Sequence, residues 1–209
     1  MPKISICIPV YEMQNKDFFL KRVLDSIESQ TFKDYEIIIT EEGKMAENAN
    51  AGIKKAKGEI VKILALDDYL ASEDSLQQIV DNWKGGWLVQ ACGHIADGDI
   101  TDHKGELIKE GTLFDAHYPR WSEKVLIGHN TIGGMSVVAF ENNNPPLYDE
   151  NLSWLLDCVL YQHLFERYGE PTIVNDIGII VGVGTHQMTH ILTDDEKAAE
   201  ETYVRNTYL

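Results

Sequence analysis

Within the first 83 residues, short apolar runs alternate three times with amphipathic helical periods, and that alternation restricts the chain to an α/β fold. Ile4-Ser5-Ile6-Cys7-Ile8 reads as a buried strand stopped by Pro9. Leu20, Val23, Leu24 and Ile27 fall on one helical face, with Asp17 as the expected N-cap. Glu36 to Ile39 is a second strand, and Ala46 to Lys57 a helix ended by Gly58. Glu59 to Leu66 is a third strand running into Asp67-Asp68, after which Ser72 is expected to cap a helix with Leu76, Ile79, Val80 and Trp83 inward. Strands this apolar imply a parallel sheet covered on both faces. Such sheets bind ligands beyond the carboxyl ends of their strands. Three of those ends are polar here: Tyr11-Glu12, Thr40-Glu41-Glu42-Gly43 and Asp67-Asp68.

The second half is less regular. Trp87 to Ile95 and Met135 to Phe140 read as strands, Asp97-Gly98-Asp99 and His103-Lys104-Gly105 as turns, and Asn142 to Pro146 as a loop. A helix is expected from about Ser153 to Tyr168, closed by Gly169, then one or two strands over Pro171 to Val183. Thr193-Asp194-Asp195-Glu196 is a capping box that opens a C-terminal helix. No repeat, low-complexity tract or linker interrupts the chain. The expectation is one domain over residues 1–209, with a nucleotide-binding type of half (1–97), a smaller and partly antiparallel half (98–192) and a terminal helix (193–209).

Eighteen Lys and Arg against 34 Asp and Glu give a formal charge of −16, which repels phosphate backbones and anionic lipid and argues against a nucleic-acid binder. A small anionic ligand then needs a local source of positive charge. Cys7, Cys92 and Cys158 sit in apolar runs without pairing or metal-ligand spacing, which points to reduced thiols and a cytoplasmic-type compartment. No apolar run approaches the ~18 residues of a membrane span, so no integral membrane segment is expected.

These pieces, in this order and spacing, resemble the family 2 glycosyltransferases of GT-A fold. The opening Ile4-Ser5-Ile6-Cys7-Ile8-Pro9-Val10-Tyr11 looks like that family's first strand. Ser29-Gln30-Thr31 with Tyr35-Glu36-Ile37-Ile38-Ile39, Asn50-Ala51-Gly52-Ile53 with Ala56-Lys57-Gly58-Glu59, and Leu66-Asp67-Asp68-Tyr69-Leu70 follow as in the family. Ile132-Gly133-Gly134-Met135-Ser136, Tyr148-Asp149-Glu150 and Asp157 ahead of Glu166-Arg167-Tyr168-Gly169 resemble its later segments. The likeness extends to about residue 185. Three departures stand out. Only six residues separate Gly43 from Asn50, where the family has a helix and a strand. The first Asp of the family's Asp-x-Asp motif falls on Ala65, and the Glu of its Glu-Asp pair on Leu156.

The resemblance implies a metal-dependent, inverting transfer of a hexose-type sugar from a UDP-sugar donor to a saccharide or other hydroxyl acceptor. A diphosphate facing carboxylates needs a divalent cation between them, and Mn²⁺ or Mg²⁺ takes one or two protein carboxylates plus phosphate oxygens. Asp67 fits that role, with Asp68 as a second candidate; alternatively Asp67-Asp68 is a polar turn before a helix. His186, in Gly184-Thr185-His186-Gln187, is read as a ligand to metal or phosphate, or as a surface histidine. Asp157 is the candidate general base, or an Asp placed to suit the helix dipole. Glu41 matches the carboxylate that accepts from a uracil N3–H, an edge that thymine shares. Pro9, Val10, Tyr11 and Glu12 form the facing wall, with Asn50 also on the donor side and Gly133 and Gly134 letting backbone approach the sugar. The rival readings are a degenerate, non-catalytic sugar-nucleotide binding module and a nucleotidyltransferase. The second lacks the glycine-rich basic loop that a triphosphate needs after strand one, since residues 11–16 contain no glycine.

Overall fold

The computed structural model describes residues 1–13, 15–96, 113–127 and 129–209. The turns read at Asp97-Gly98-Asp99 and His103-Lys104-Gly105 lie outside them. Strand β1 (Ile4–Pro9) is buried along its whole length between two parallel neighbours, β2 (Tyr35–Thr40) and β3 (Ile60–Ile63), with Ile6 opposite Ile37 on one side and Lys62 on the other. The linking helices α1 (Lys16–Glu28) and α2 (Met45–Lys55) lead to strands on opposite sides of β1. Right-handed crossovers therefore place them on opposite faces of the sheet. The short link between β2 and α2 leaves β2 at the sheet edge, where Ile37 and Ile39 are exposed.

Beyond β3 the sheet becomes mixed. Its order is β2-β1-β3-β7-β5-β8-β4, with β6 (Leu113–His117) on β5. β7 (Val138–Glu141) runs antiparallel to both β3 and β5 (Trp87–Ala96), while the long β8 (Thr172–Val183) is parallel to β5. β4 (Tyr69–Leu70), only two residues long, pairs antiparallel with β8 straight after Asp67-Asp68. Helices α3 (Ser75–Asn82) and α4 (Leu156–Tyr168), the short α5 (Met188–Ile191) and α6 (Asp194–Tyr208) complete the described elements.

Several local expectations change. Asp17 lies inside the first turn of α1; the cap position is Asn15, in the left-handed region at φ 62°. The α3 cap position is Asp74, two residues later than expected, and the Ser72 hydroxyl accepts from the Asp74 N–H. Met135–Val137 is a 3₁₀ turn rather than strand, and pairing begins at Val138. The Thr193 capping box forms as expected, with Glu196 returning to the Thr193 N–H at 2.8 Å. Helix α4 starts at Leu156, three residues later than expected, because the Ser153, Trp154 and Leu155 N–H groups donate to the Glu200 carboxylate at 2.8–3.0 Å.

Gly58 does more than end a helix. A Cβ there would stand 2.7 Å from the Ser5 backbone nitrogen and 2.8 Å from the Ile4 carbonyl carbon, neither of which can yield. Gly58→Ala is expected to cost about 2 kcal/mol or more in a urea melt.

Candidate active site

The third strand delivers Asp67 to its position. Beyond Ile63 the chain stays tied to its neighbours: Leu64 N–H donates to Cys7 O, Ala65 N–H to the Ser136 hydroxyl at 2.8 Å, and a turn closes with Asp68 N–H on Ala65 O. Asp67 stands at the tip with its side chain one-tenth exposed. Its Oδ2 lies 2.8 Å from His186 Nε2, and its Oδ1 accepts from the Tyr11 hydroxyl at 3.4 Å. Burial and the Asp67 charge push the Tyr11 phenol pKa upward. Arg22, packed over the Phe19 and Tyr69 rings, donates to the Asp67 backbone carbonyl and so fixes the turn from behind. Residues 67 and 186 are 119 positions apart, so the fold, not local sequence, creates the Asp–His pair.

Asp68 does not join them. It is buried, accepts from Gly182 N–H at 3.1 Å and bonds the Ser136 hydroxyl. Burial, and then the Asp67 charge, raise its carboxyl pKa well above the ordinary range. With its carboxyl spent on Gly182 N–H and Ser136, Asp68 stands apart from the Asp67–His186 pair. Facing it is Lys62, fully buried in β3, whose ammonium donates to Ser136 O and whose pKa burial lowers to about 7.

The wall expected around a nucleotide is formed in part. Pro9 and Val10 are buried, and Asn48 holds the ends of β1 and β2 together by donating to Val10 O at 2.7 Å and accepting from Glu42 N–H at 3.1 Å. Glu12 and Glu41 share Lys16, at 2.7 and 3.3 Å. Lys16 offsets one of these two carboxylates; its i,i+4 spacing from Glu12 was its only sequence signal. Asn50 faces inward: its amide donates to Tyr148 O and to Glu150 and accepts from Tyr148 N–H, clamping that residue at both ends. Its placement on the donor side is corrected accordingly. Gly133 takes φ +123°, and both Gly133 O and Gly134 O accept from the Tyr161 hydroxyl at 3.0 and 2.9 Å. A Cβ on Gly134 would meet nothing within 4 Å, so its backbone borders open space.

Asp157 sits in the first turn of α4, half-buried, with Oδ1 sealed and unbonded. Burial pushes its carboxyl pKa up to about 7, a value suited to exchanging protons near neutrality. Tyr161, one turn along the same helix, ties α4 to the glycine segment.

For a divalent cation, Asp67 and His186 have the spacing of adjacent ligands. Metal–ligand bonds of about 2.1 Å at right angles put adjacent donor atoms about 3 Å apart, close to the observed 2.8 Å. Among the described residues no cluster of three or more His, Cys, Asp or Glu could enclose a cation, so further coordination would have to come from a ligand and water. No helix among the described residues is long and apolar enough to cross a membrane.

No family model matches the chain. It is 25% identical over 139 residues to a GalNAc(5)-diNAcBac-PP-undecaprenol beta-1,3-glucosyltransferase of Campylobacter jejuni, covering 53% of this chain and 42% of that protein. It is 23% identical over 216 residues to an uncharacterized glycosyltransferase of Haemophilus influenzae, covering 83% and 82%. Among solved structures, S. aureus TarS 1-349 in complex with UDP-GlcNAc superposes with a TM-score of 0.66 at 13% identity, over 95% of this chain and 64% of that one. The mannosyltransferase PcManGT from Pyrobaculum calidifontis, in complex with GDP-Man and Mn²⁺, gives 0.57 at 14% identity, over 95% and 64%. The chain thus spans less than half the length of the Campylobacter relative and just under two thirds of these two structures. By sequence the chain is a relative of glycosyltransferases, and its fold is the GT-A type of the nucleotide-sugar transferases.

Proposed function

We propose that the chain is a family 2 glycosyltransferase that moves a sugar from a UDP-sugar to a hydroxyl acceptor with inversion, using a divalent cation held by Asp67 and His186. The observation that carries this reading is the Asp67–His186 pair at the carboxyl end of β3, beside the Tyr11 hydroxyl. A bound Mn²⁺ or Mg²⁺ supplies Lewis-acid neutralisation of the departing diphosphate. Lys16 adds fixed positive charge between Glu12 and Glu41. Glu41, exposed at the end of β2, accepts from the ring N–H of the base, and the open backbone at Gly134 lets the sugar approach. Asp157 takes the proton of the attacking acceptor hydroxyl; its raised pKa equips it to hold that proton near pH 7. TarS with UDP-GlcNAc supports the choice of uridine, and PcManGT with Mn²⁺ the choice of metal.

A thermal-shift panel of UDP, GDP and dTDP, each with and without Mn²⁺, tests this. A ligand at 100 times its Kd stabilises by about 2.7 kcal/mol, roughly 5–11 °C for a chain of this size. The expected result is a shift with UDP and Mn²⁺ together and none with either alone. A shift with GDP instead would overturn the base assignment. No shift with any diphosphate would overturn the site. UDP binding without UDP release from any UDP-sugar would favour the non-catalytic module.

A further inference from the structure

Val204 is the one buried residue of helix α6, and the polar contacts of that helix converge on a single stretch of chain. The Glu200 carboxylate accepts from the Ser153, Trp154 and Leu155 N–H groups at 2.8, 3.0 and 3.0 Å. The Tyr203 and Tyr208 hydroxyls donate to Asp149 Oδ2 at 2.9 and 2.7 Å. The Tyr208 ring also meets His163 of α4 edge-on, with 5.4 Å between centroids, and Lys197 stands over the Trp154 ring. Residues 149–155 are thus gripped at both ends from α6, and Asp157 lies two residues beyond the last of them.

We infer that Glu200 is a positioning residue for Asp157: its carboxylate fixes the turn that opens α4 and so sets where the Asp157 side chain stands relative to the attacking hydroxyl. The inference rests on the reading of Asp157 as general base and adds to it a residue of another helix on which the placement of that base depends. Leu155, at the α4 cap position, has no side-chain acceptor to organise the helix start. Glu200, 45 positions further along the chain, supplies an anion there instead. Hydrogen bonds to a charged acceptor are about twice as strong as neutral ones, and negative charge is favoured where N–H groups open a helix. The influence travels through backbone, because the three groups that Glu200 holds belong to the chain running directly into α4.

The test is a double-mutant cycle on UDP release from UDP-GlcNAc with Mn²⁺. Glu200→Ala is expected to lower kcat by about 10- to 100-fold, the scale of an ångström's misplacement, with KM for UDP-GlcNAc unchanged. In an Asp157→Asn chain the same substitution should cost nothing further, because residues that act as a unit are not additive. In the free protein, amide exchange at Ser153, Trp154 and Leu155 should quicken by at least about tenfold. Val204→Ala, which loosens α6 by a cavity without touching the α4 start, sets the comparison: its melting temperature should fall while kcat holds. Glu200→Gln keeps the shape and one acceptor oxygen; it should lose less than the alanine variant, and it carries the same test if that variant does not fold. An unchanged kcat, a loss matched by Val204→Ala, or a full further loss in the Asp157→Asn chain would overturn the inference. Full UDP release by Asp157→Asn alone would instead overturn the reading of Asp157 as base, so the single variant tells the two failures apart.

Discussion

Replacing Asp67 with Asn should abolish the Mn²⁺-dependent response to UDP and lower UDP release from a UDP-sugar by at least about 100-fold. The substitution keeps shape, its single amide oxygen accepts from one of the two former partners while its NH₂ only donates, and the β3 turn is held by backbone bonds and Arg22, so the turn survives; what goes is the charge. A metal at this point would have only one protein carboxylate, because Asp68 is tied to Gly182 N–H and Ser136. Loss of that anion therefore cannot be shared out. Asp68→Asn is expected to keep the metal-dependent shift, since the carboxyl it removes is spent on Gly182 N–H and Ser136. His186→Ala should fall between the two, at about tenfold, because a neutral imidazole contributes a bond but no charge. Circular dichroism and the melting temperature of the free protein would show that all three variants fold. An Asp67→Asn protein that still binds UDP only with Mn²⁺ would remove the metal from this position altogether.

How much of this was legible in the sequence follows from the range of the interactions involved. The three parallel strands and the helices between them are encoded locally, as an apolar run and then a 3.6-residue period, and both signals survive in the structure from Ile4 to Asn82. The exceptions fall at helix starts: Asn15, in the left-handed region, takes one cap position two residues before Asp17, and Asp74 takes another two residues after Ser72. Lys62 was hidden by its company: one cation in an apolar strand reads as an edge position, yet here it is sealed beside Ser136 and Asp68. β4 was invisible because two residues carry no period, and only its partner β8 makes it a strand. At the site, Asp67 was legible from its place after a strand. His186 was reached only through the family resemblance, since nothing in a Gly-rich stretch more than 100 residues away specifies which carboxylate the imidazole will meet. Asn50 misled because a buried amide and a ligand-binding amide look alike in sequence. The difference is whether Tyr148 is there to use it.

Asp157→Asn should give the opposite signs in activity and stability. As the proton acceptor, Asp157 is worth about 10²–10⁴ in turnover, and sugar transfer with release of UDP should fall by that factor. In the wild type, transfer should rise with pH and level off above about 7, where the carboxyl ionises. Burial is the cause of the raised value, so the fold favours the neutral carboxyl over the charged one. An Asp with an unfolded pKa near 4 and a folded one near 7 contributes stability that is complete below pH 4 and lost as pH climbs through 7. Above that window the native state carries a penalty of at most about 4 kcal/mol, and nearer 2 because the side chain keeps some contact with water. Asparagine is neutral at every pH and escapes the penalty. The variant should therefore match the wild type in a urea melt at pH 4 and exceed it at pH 8, while having lost its activity at both. A stability gain equal at the two pH values would mean that the carboxyl does not titrate in this range. The proton-accepting role would then lose its physical basis, because a base that is fully ionised at pH 5 is too weak to hold the acceptor's proton at neutrality.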